Sequence, residues 1–98
     1  MKPILAKAAA LANPNRLQIL ELLEAPSLHF GPGQFDESAG VCGLYISEKL
    51  GISAPTASAH LKVLTQAGFL TSLRIGKFTY FKRVPAAMDE FAEEIRKL

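Results

Sequence analysis

A mainly α-helical domain with a small β-hairpin is the fold class this sequence predicts. Leu44 to Leu50 carry apolar side chains at helical spacing, Gly51-Ile52-Ser53 breaks that run, and Ala54 to Ala67 starts another. From Phe69 to Val84 the composition turns to β-branched and aromatic residues, with Gly76 near the middle. That is the pattern of two strands joined by a turn near Gly76-Lys77. Helix, three-residue turn and helix, followed directly by a basic hairpin, make a winged helix-turn-helix. With the flanking segments the predicted order is α-α-(loop)-α-α-β-β-α.

Each element has a local cause. Pro3 to Ala12 combines good helix formers with small apolar side chains. Ile4, Leu5, Ala8, Leu11 and Ala12 form one stripe and Ala9-Ala10 a second, so this short helix needs cover on more than one side. Asn13 is placed to cap the next helix, and Pro14 to take its first position, where no N–H is needed. Leu17, Ile19, Leu20 and Leu23 form the expected buried stripe of Asn15 to Glu24, with Arg16, Gln18, Glu21 and Glu24 outward. Pro26, Gly31, Pro32, Gly33 and Gly40 forbid a regular helix over residues 25–40. This stretch reads as a long loop pinned by Leu28, Phe30 and Phe35, with a short strand at Leu28-His29-Phe30 as the alternative. In the motif itself, Gly51 suits a left-handed helix end, Ser53 an N-cap, Pro55 a first turn and Gly68 the stop of the second helix. After Pro85, the residues Met88, Phe91, Ala92, Ile95 and Leu98 recur at i+3/i+4 spacing among charged neighbours. The first and last helices are expected to form a seam between two copies of the chain, since readers of palindromic sites need a two-fold axis.

The 98 residues are expected to form one domain, 1–98. Net charge is +2, but residues 49–83 hold Lys49, Lys62, Arg74, Lys77, Lys82 and Arg83 and no acid, while the remainder holds five bases against nine acids. Positive charge is thus gathered on the helix-turn-helix and hairpin, as a surface that meets phosphates requires. The single cysteine, Cys42, excludes an intrachain disulfide. No apolar run approaches the roughly 18 residues of a membrane span, and no secretory leader is evident, so no membrane partner and a cytoplasmic location are expected. Two histidines, one cysteine and no phosphate-binding Gly loop leave no enzyme chemistry to assign. No cofactor is expected.

The expected partner is double-stranded DNA. The start of the second helix of such a motif enters the major groove. Ala57, Leu61, Leu64 and Gly68 fall on the inward face, whereas Ser53, Ala54, Pro55, Thr56, Ser58, Ala59 and Lys62 fall on the other. Thr56 and Ser58 can donate to phosphates or base edges, and the Ala59 methyl can touch a thymine methyl. The start of this helix offers no bidentate Arg, Asn or Gln, so backbone contacts and DNA shape should carry a large share of recognition. His60 either reaches a phosphate or is half-buried and bonded within the motif. Arg74 and Lys77, near the hairpin tip, are expected along the backbone or in the adjacent minor groove. Lys82 and Arg83 read equally well as solvated strand ends. A winged helix that docks a protein is the competing class; the retained positive charge favours DNA.

Three segments carry a family resemblance: Ala10 to Leu20, Ser53 to Leu70 with its string Ser58-x-His60-Leu61-x-x-Leu64-x-x-Ala67-Gly68, and Arg74 to Phe81. They resemble the opening helices, recognition helix and wing of the ArsR/SmtB family of bacterial winged-helix repressors. The resemblance spans most of the chain outside residues 25–40. It implies a homodimeric, cytoplasmic repressor that leaves its operator when an inducer binds. Many such proteins sense metal through a Cys-x-Cys pair; Gly40 and Cys42 stand there in this chain, and residues 85–98 carry acids but no His. With the ligand set incomplete, no metal site is expected. Cys42 is a candidate redox sensor, set against the commoner case of a buried structural thiol.

Overall fold

The computed structural model describes residues 3–98. Helices α1 (Pro3–Leu11) and α2 (Pro14–Glu24) lead through a 3-10 turn, Pro26–Leu28, to two short strands, β1 (Phe35–Asp36) and β2 (Gly40–Cys42). Helices α3 (Gly43–Leu50) and α4 (Ala54–Gln66) form the helix-turn-helix, β3 (Leu70–Ile75) and β4 (Phe78–Arg83) the hairpin, and α5 (Ala87–Arg96) follows. The antiparallel sheet has the order β1-β2-β4-β3. The mainly α class with a small sheet is as predicted.

Helix ends fall where capping chemistry puts them. The Asn13 side chain accepts from the amides of Asn15 and Arg16 at 2.9 and 3.2 Å, with Pro14 at the first helical position. Gly51 turns left-handed at φ 70° to close α3. The Ser53 hydroxyl accepts from the Thr56 amide at 3.3 Å and donates to the Thr56 hydroxyl at 2.9 Å. One core joins these elements: Ile19, Leu20, Leu22 and Leu23 of α2 pack with Ile46 of α3, Leu61 and Leu64 of α4, and Phe69 and Leu70 at the start of β3. Phe91 brings α5 onto this core through an edge-to-face contact with Phe69, 5.9 Å between ring centres.

Two expectations need correction. On α2, Leu17 is exposed and Leu22 is buried in its place. At 3.6 residues per turn Leu17 lies roughly 160° round the helix from Ile19, whereas Arg16 lies only about 60° away, on the flank that meets the body of the protein. Arg16 therefore turns inward, against its charge, because acceptors wait there. Residues 25–40 are not structureless either. Leu28-His29-Phe30 forms no strand; Pro26–Leu28 is a 3-10 turn, Leu28 is exposed, and Phe30 is buried. The strands lie later, where Phe35 pairs with Val41 and β2 extends the hairpin sheet through Val41–Phe81 and Cys42–Tyr80.

The β1–β2 turn is held by Asp36. Its carboxylate accepts from the Ser38 hydroxyl, the Ser38 amide at 2.8 Å and the Ala39 amide at 2.9 Å. The Ser38 hydroxyl first, then the two amides, hold this carboxyl below the usual carboxylate range, and the Lys82 charge adds to them. A lowered folded-state value means that the stabilisation is complete above the unfolded-state value and is lost as pH falls through the lowered one. Followed from neutral pH downward, the Ser38 and Ala39 amide resonances should hold steady through the ordinary carboxylate range and move only below it. In Asp36→Ala that step should be missing. Gly40 anchors the other end of the turn at φ 99°, and a Cβ there would overlap the Phe81 carbonyl oxygen. Gly40→Ala should therefore cost roughly 2–4 kcal/mol in urea denaturation, from backbone strain plus the loss of β2–β4 pairing.

Candidate nucleic-acid interface

The buried face of α4 is set by Ala57, Leu61 and Leu64, each at most 1% exposed. Their i, i+4, i+7 spacing is one helical seam, so the opposite side looks outward. Ser53, Ala54, Pro55, Thr56, Ser58, Ala59 and Lys62 are all exposed there, while Gly68, assigned inward from the sequence, is exposed beyond the helix end. The Ser53 hydroxyl is already engaged in its cap, which leaves Thr56 and Ser58 as the hydroxyls nearest the helix start.

His60 is half-buried and tied to α2 rather than to its own motif. Arg16 Nη1 lies 3.0 Å from His60 Nδ1, and the Asn15 side-chain nitrogen lies 3.5 Å from Nε2. A guanidinium only donates, so Nδ1 is the acceptor and, in the neutral ring, Nε2 carries the hydrogen. Asn15 then meets Nε2–H best through its amide oxygen, which a flip of the amide supplies. The same guanidinium donates from Nε to the Ala10 carbonyl at 2.6 Å and from Nη2 to the Ala9 carbonyl at 3.2 Å. Both carbonyls belong to the last turn of α1, where a cation is favoured. Arg16 thus joins α1, α2 and α4 through one rigid fork.

In the β3–β4 hairpin, Gly76 at φ 61° followed by Lys77 at negative φ has the signature of a type II′ turn. Arg74 and Lys77 are exposed at this tip, and Arg74 Nε donates to the Gly76 carbonyl at 3.2 Å. Lys82 and Arg83 are not free strand ends. Lys82 Nζ reaches the Glu37 carbonyl at 3.3 Å, and Arg83 Nη1 the Leu20 carbonyl at 2.9 Å. They sit five and six residues beyond Lys77, about 17–20 Å along the strand. The pairs Leu73–Tyr80 and Ile75–Phe78 place four apolar side chains on one face of the hairpin. Leu73, Ile75 and Phe78 are 45–53% exposed. Counting back in twos from a tip at Gly76-Lys77 gives this face from sequence alone, yet a reading by charge passes over it.

Comparison with known proteins agrees with this geometry. Residues 40–72 match the model of the arsR family of bacterial regulatory proteins. The chain is 42% identical over 89 residues to YbzH, an HTH-type transcriptional regulator of Bacillus subtilis (strain 168), covering 89% of each chain. It belongs to the ArsR family. A Mycobacterium bovis protein described as a homodimeric winged helix-turn-helix DNA-binding domain superposes with a TM-score of 0.69 at 27% identity, over 93% of this chain and 73% of that one. An ArsR-like regulator from Rhodococcus sp. RHA1 shares the fold, with a TM-score of 0.69 at 19% identity over 97% of this chain and 77% of its own. The chain is a DNA-binding winged-helix transcriptional regulator.

In this ArsR-family protein Gly40 and Cys42 occupy β2, and Cys42 is the N-cap of α3. The thiol is buried, 4% exposed, and a thiol without solvent access reacts slowly with oxidants. Among the described residues no group of three or more His, Cys, Asp or Glu side chains is arranged to hold a metal ion. No helix among them is long and apolar enough to cross a membrane. The fork at Arg16 makes a specific demand. Arg16→Ala should lower unfolding free energy by about 1–3 kcal/mol, because two helix-end carbonyls and His60 Nδ1 lose their donor. Arg16→Lys should recover less than half of the loss, since a point-like ammonium cannot reach three acceptors at once. Thermal and chemical denaturation of the two variants check this.

Proposed function

We propose that the chain acts as a homodimeric repressor, with the start of α4 in the major groove of an operator and the β3–β4 tip on the adjacent backbone or minor groove. The observation that carries this reading is the exposed, polar start of α4, held outward by a fully buried seam, in the same acid-free segment, 49–83, as the tip cations. Thr56 and Ser58 contact phosphates or base edges, Ala54, Pro55 and Ala59 contact the groove through their methyl and methylene groups, and Lys62, Arg74 and Lys77 neutralise phosphates. His60 acts behind this surface, fixing α4 to α2. A two-fold partner is supported by the homodimeric Mycobacterium relative. It is supported as well by Leu5 of α1, Ile95 of α5 and the terminal Leu98, apolar side chains that the chain's own core leaves exposed. A dimer seated on a promoter blocks transcription by occupancy. Its release signal is not a metal held by the usual Cys-x-Cys pair.

Selection from a random duplex pool, followed by gel shifts across a salt series, tests the proposal. The expected result is a complex of two chains per site whose log affinity falls linearly with log salt. Lys77→Ala should weaken binding to all sequences alike and flatten that slope by about one. No binding to any duplex at low ionic strength would overturn the reading and leave a protein-docking winged helix in its place.

A further inference from the structure

A cavity of about 420 Å³ lies between the end of α2, the 3-10 turn, the β1–β2 turn and the last residues of β4. Its volume falls in the range of small-molecule sites, roughly 300–1,000 Å³. Residues 25–39, which precede the segment matched to the family model, supply one wall. The other wall is the end of β4 on the side away from β3, past the last β2–β4 pair at Val41–Phe81, where Lys82 and Arg83 are paired only with β3. Leu23, Pro26, Phe35, Phe81 and Pro85 among its lining residues give the cavity an apolar share.

Its polar groups are of both signs. Asp36 is committed to its own turn. Glu24 and Glu37 also line the cavity, and among the described residues neither carboxylate takes part in an ion pair or hydrogen bond. Lys82 and Arg83 each donate to a single backbone carbonyl and have donors to spare. A simple cation would face Lys82 and Arg83, and a simple anion would face Glu24 and Glu37. A molecule carrying both charges satisfies both pairs.

We propose that this cavity binds a small zwitterion of the α-amino-acid type with an apolar side chain, and that its occupancy changes the grip of the chain on DNA. The carboxylate meets Lys82 and Arg83, the ammonium meets Glu24 and Glu37, and the apolar body lies against Phe35 and Phe81. β4 is both a wall of the cavity and a strand of the wing. β2, which Gly40 seats against β4, runs directly into α3. A ligand clamping the β1–β2 turn to β4 therefore acts on the wing and on the helix-turn-helix together. This second half rests on the DNA-binding reading; the binding site itself does not.

Three probes with one apolar body and different charges decide the matter on the intact chain: L-phenylalanine, phenethylamine and phenylacetate. L-phenylalanine should move the amide resonances of Glu24, Phe35, Gly40 and Phe81 at about tenfold lower concentration than either of the others. Combining Glu24→Gln with Glu37→Gln, or changing Lys82→Gln alone, should weaken it by about tenfold while moving unliganded resonances only next to the substituted residues and in the β1–β2 turn. No binding by any probe, equal binding by a singly charged one, or shifts that leave the cavity residues unmoved would overturn the site. In gel shifts with a random-sequence duplex at low salt, saturating L-phenylalanine should change Kd by at least about fivefold. An unchanged Kd overturns the coupling. A chain that binds no duplex removes the coupling together with the DNA-binding reading, and the probe titration still decides the site.

Discussion

Burial of Ala57, Leu61 and Leu64 is the constraint on which the arrangement depends. Once these three are sealed into the core, α4 has no rotational freedom, and Ser58, Ala59 and Lys62 between them look away from the protein while His60 and Val63 flank the seam. Everything adjacent serves that orientation. The capped turn at Gly51 to Ser53 sets where α4 begins, and the Arg16 fork grips it from behind through His60. Because that fork also holds the last turn of α1, the helix that offers Leu5 to solvent and the helix with the polar outer face are mechanically one body.

The winged helix-turn-helix was legible because nearly every element ends on an explicit chemical signal. Asn13-Pro14, Gly51 to Ser53, Gly68 and Gly76 mark boundaries that the structure keeps to within a residue or two. What was not legible depended on partners distant in sequence. Arg16 looked like an outward residue because it is charged, yet its acceptors lie in α1 and α4. β2 is three residues long, too short to show a period, and becomes a strand by lying between β1 and β4. The prolines and glycines between Ala25 and Gly40 correctly excluded a helix, and that same exclusion hid a short hairpin. Lengths and stops came from local chemistry; facing and pairing came from tertiary contact.

Charge shows the same division. Six cations fall between residues 49 and 83, but composition carries no direction. Lys82 and Arg83 turn back to carbonyls of the β1–β2 turn and α2, leaving Lys49, Lys62, Arg74 and Lys77 as the exposed cations of that segment that bond to no distant element. Four charges make a modest electrostatic footprint for this segment. The hairpin face carrying Leu73, Ile75 and Phe78 shows the other side of that division, since its exposure follows from strand register and not from charge.

The II′ turn separates two jobs within a pair of neighbouring residues. Gly76 carries the whole conformational demand of the bend, so Lys77 keeps an ordinary backbone that most side chains can adopt. Substitutions at position 77 therefore alter what the ribbon presents at its extremity without altering the ribbon. Divergence among descendants of this chain can therefore exchange that one side chain without re-forming the bend.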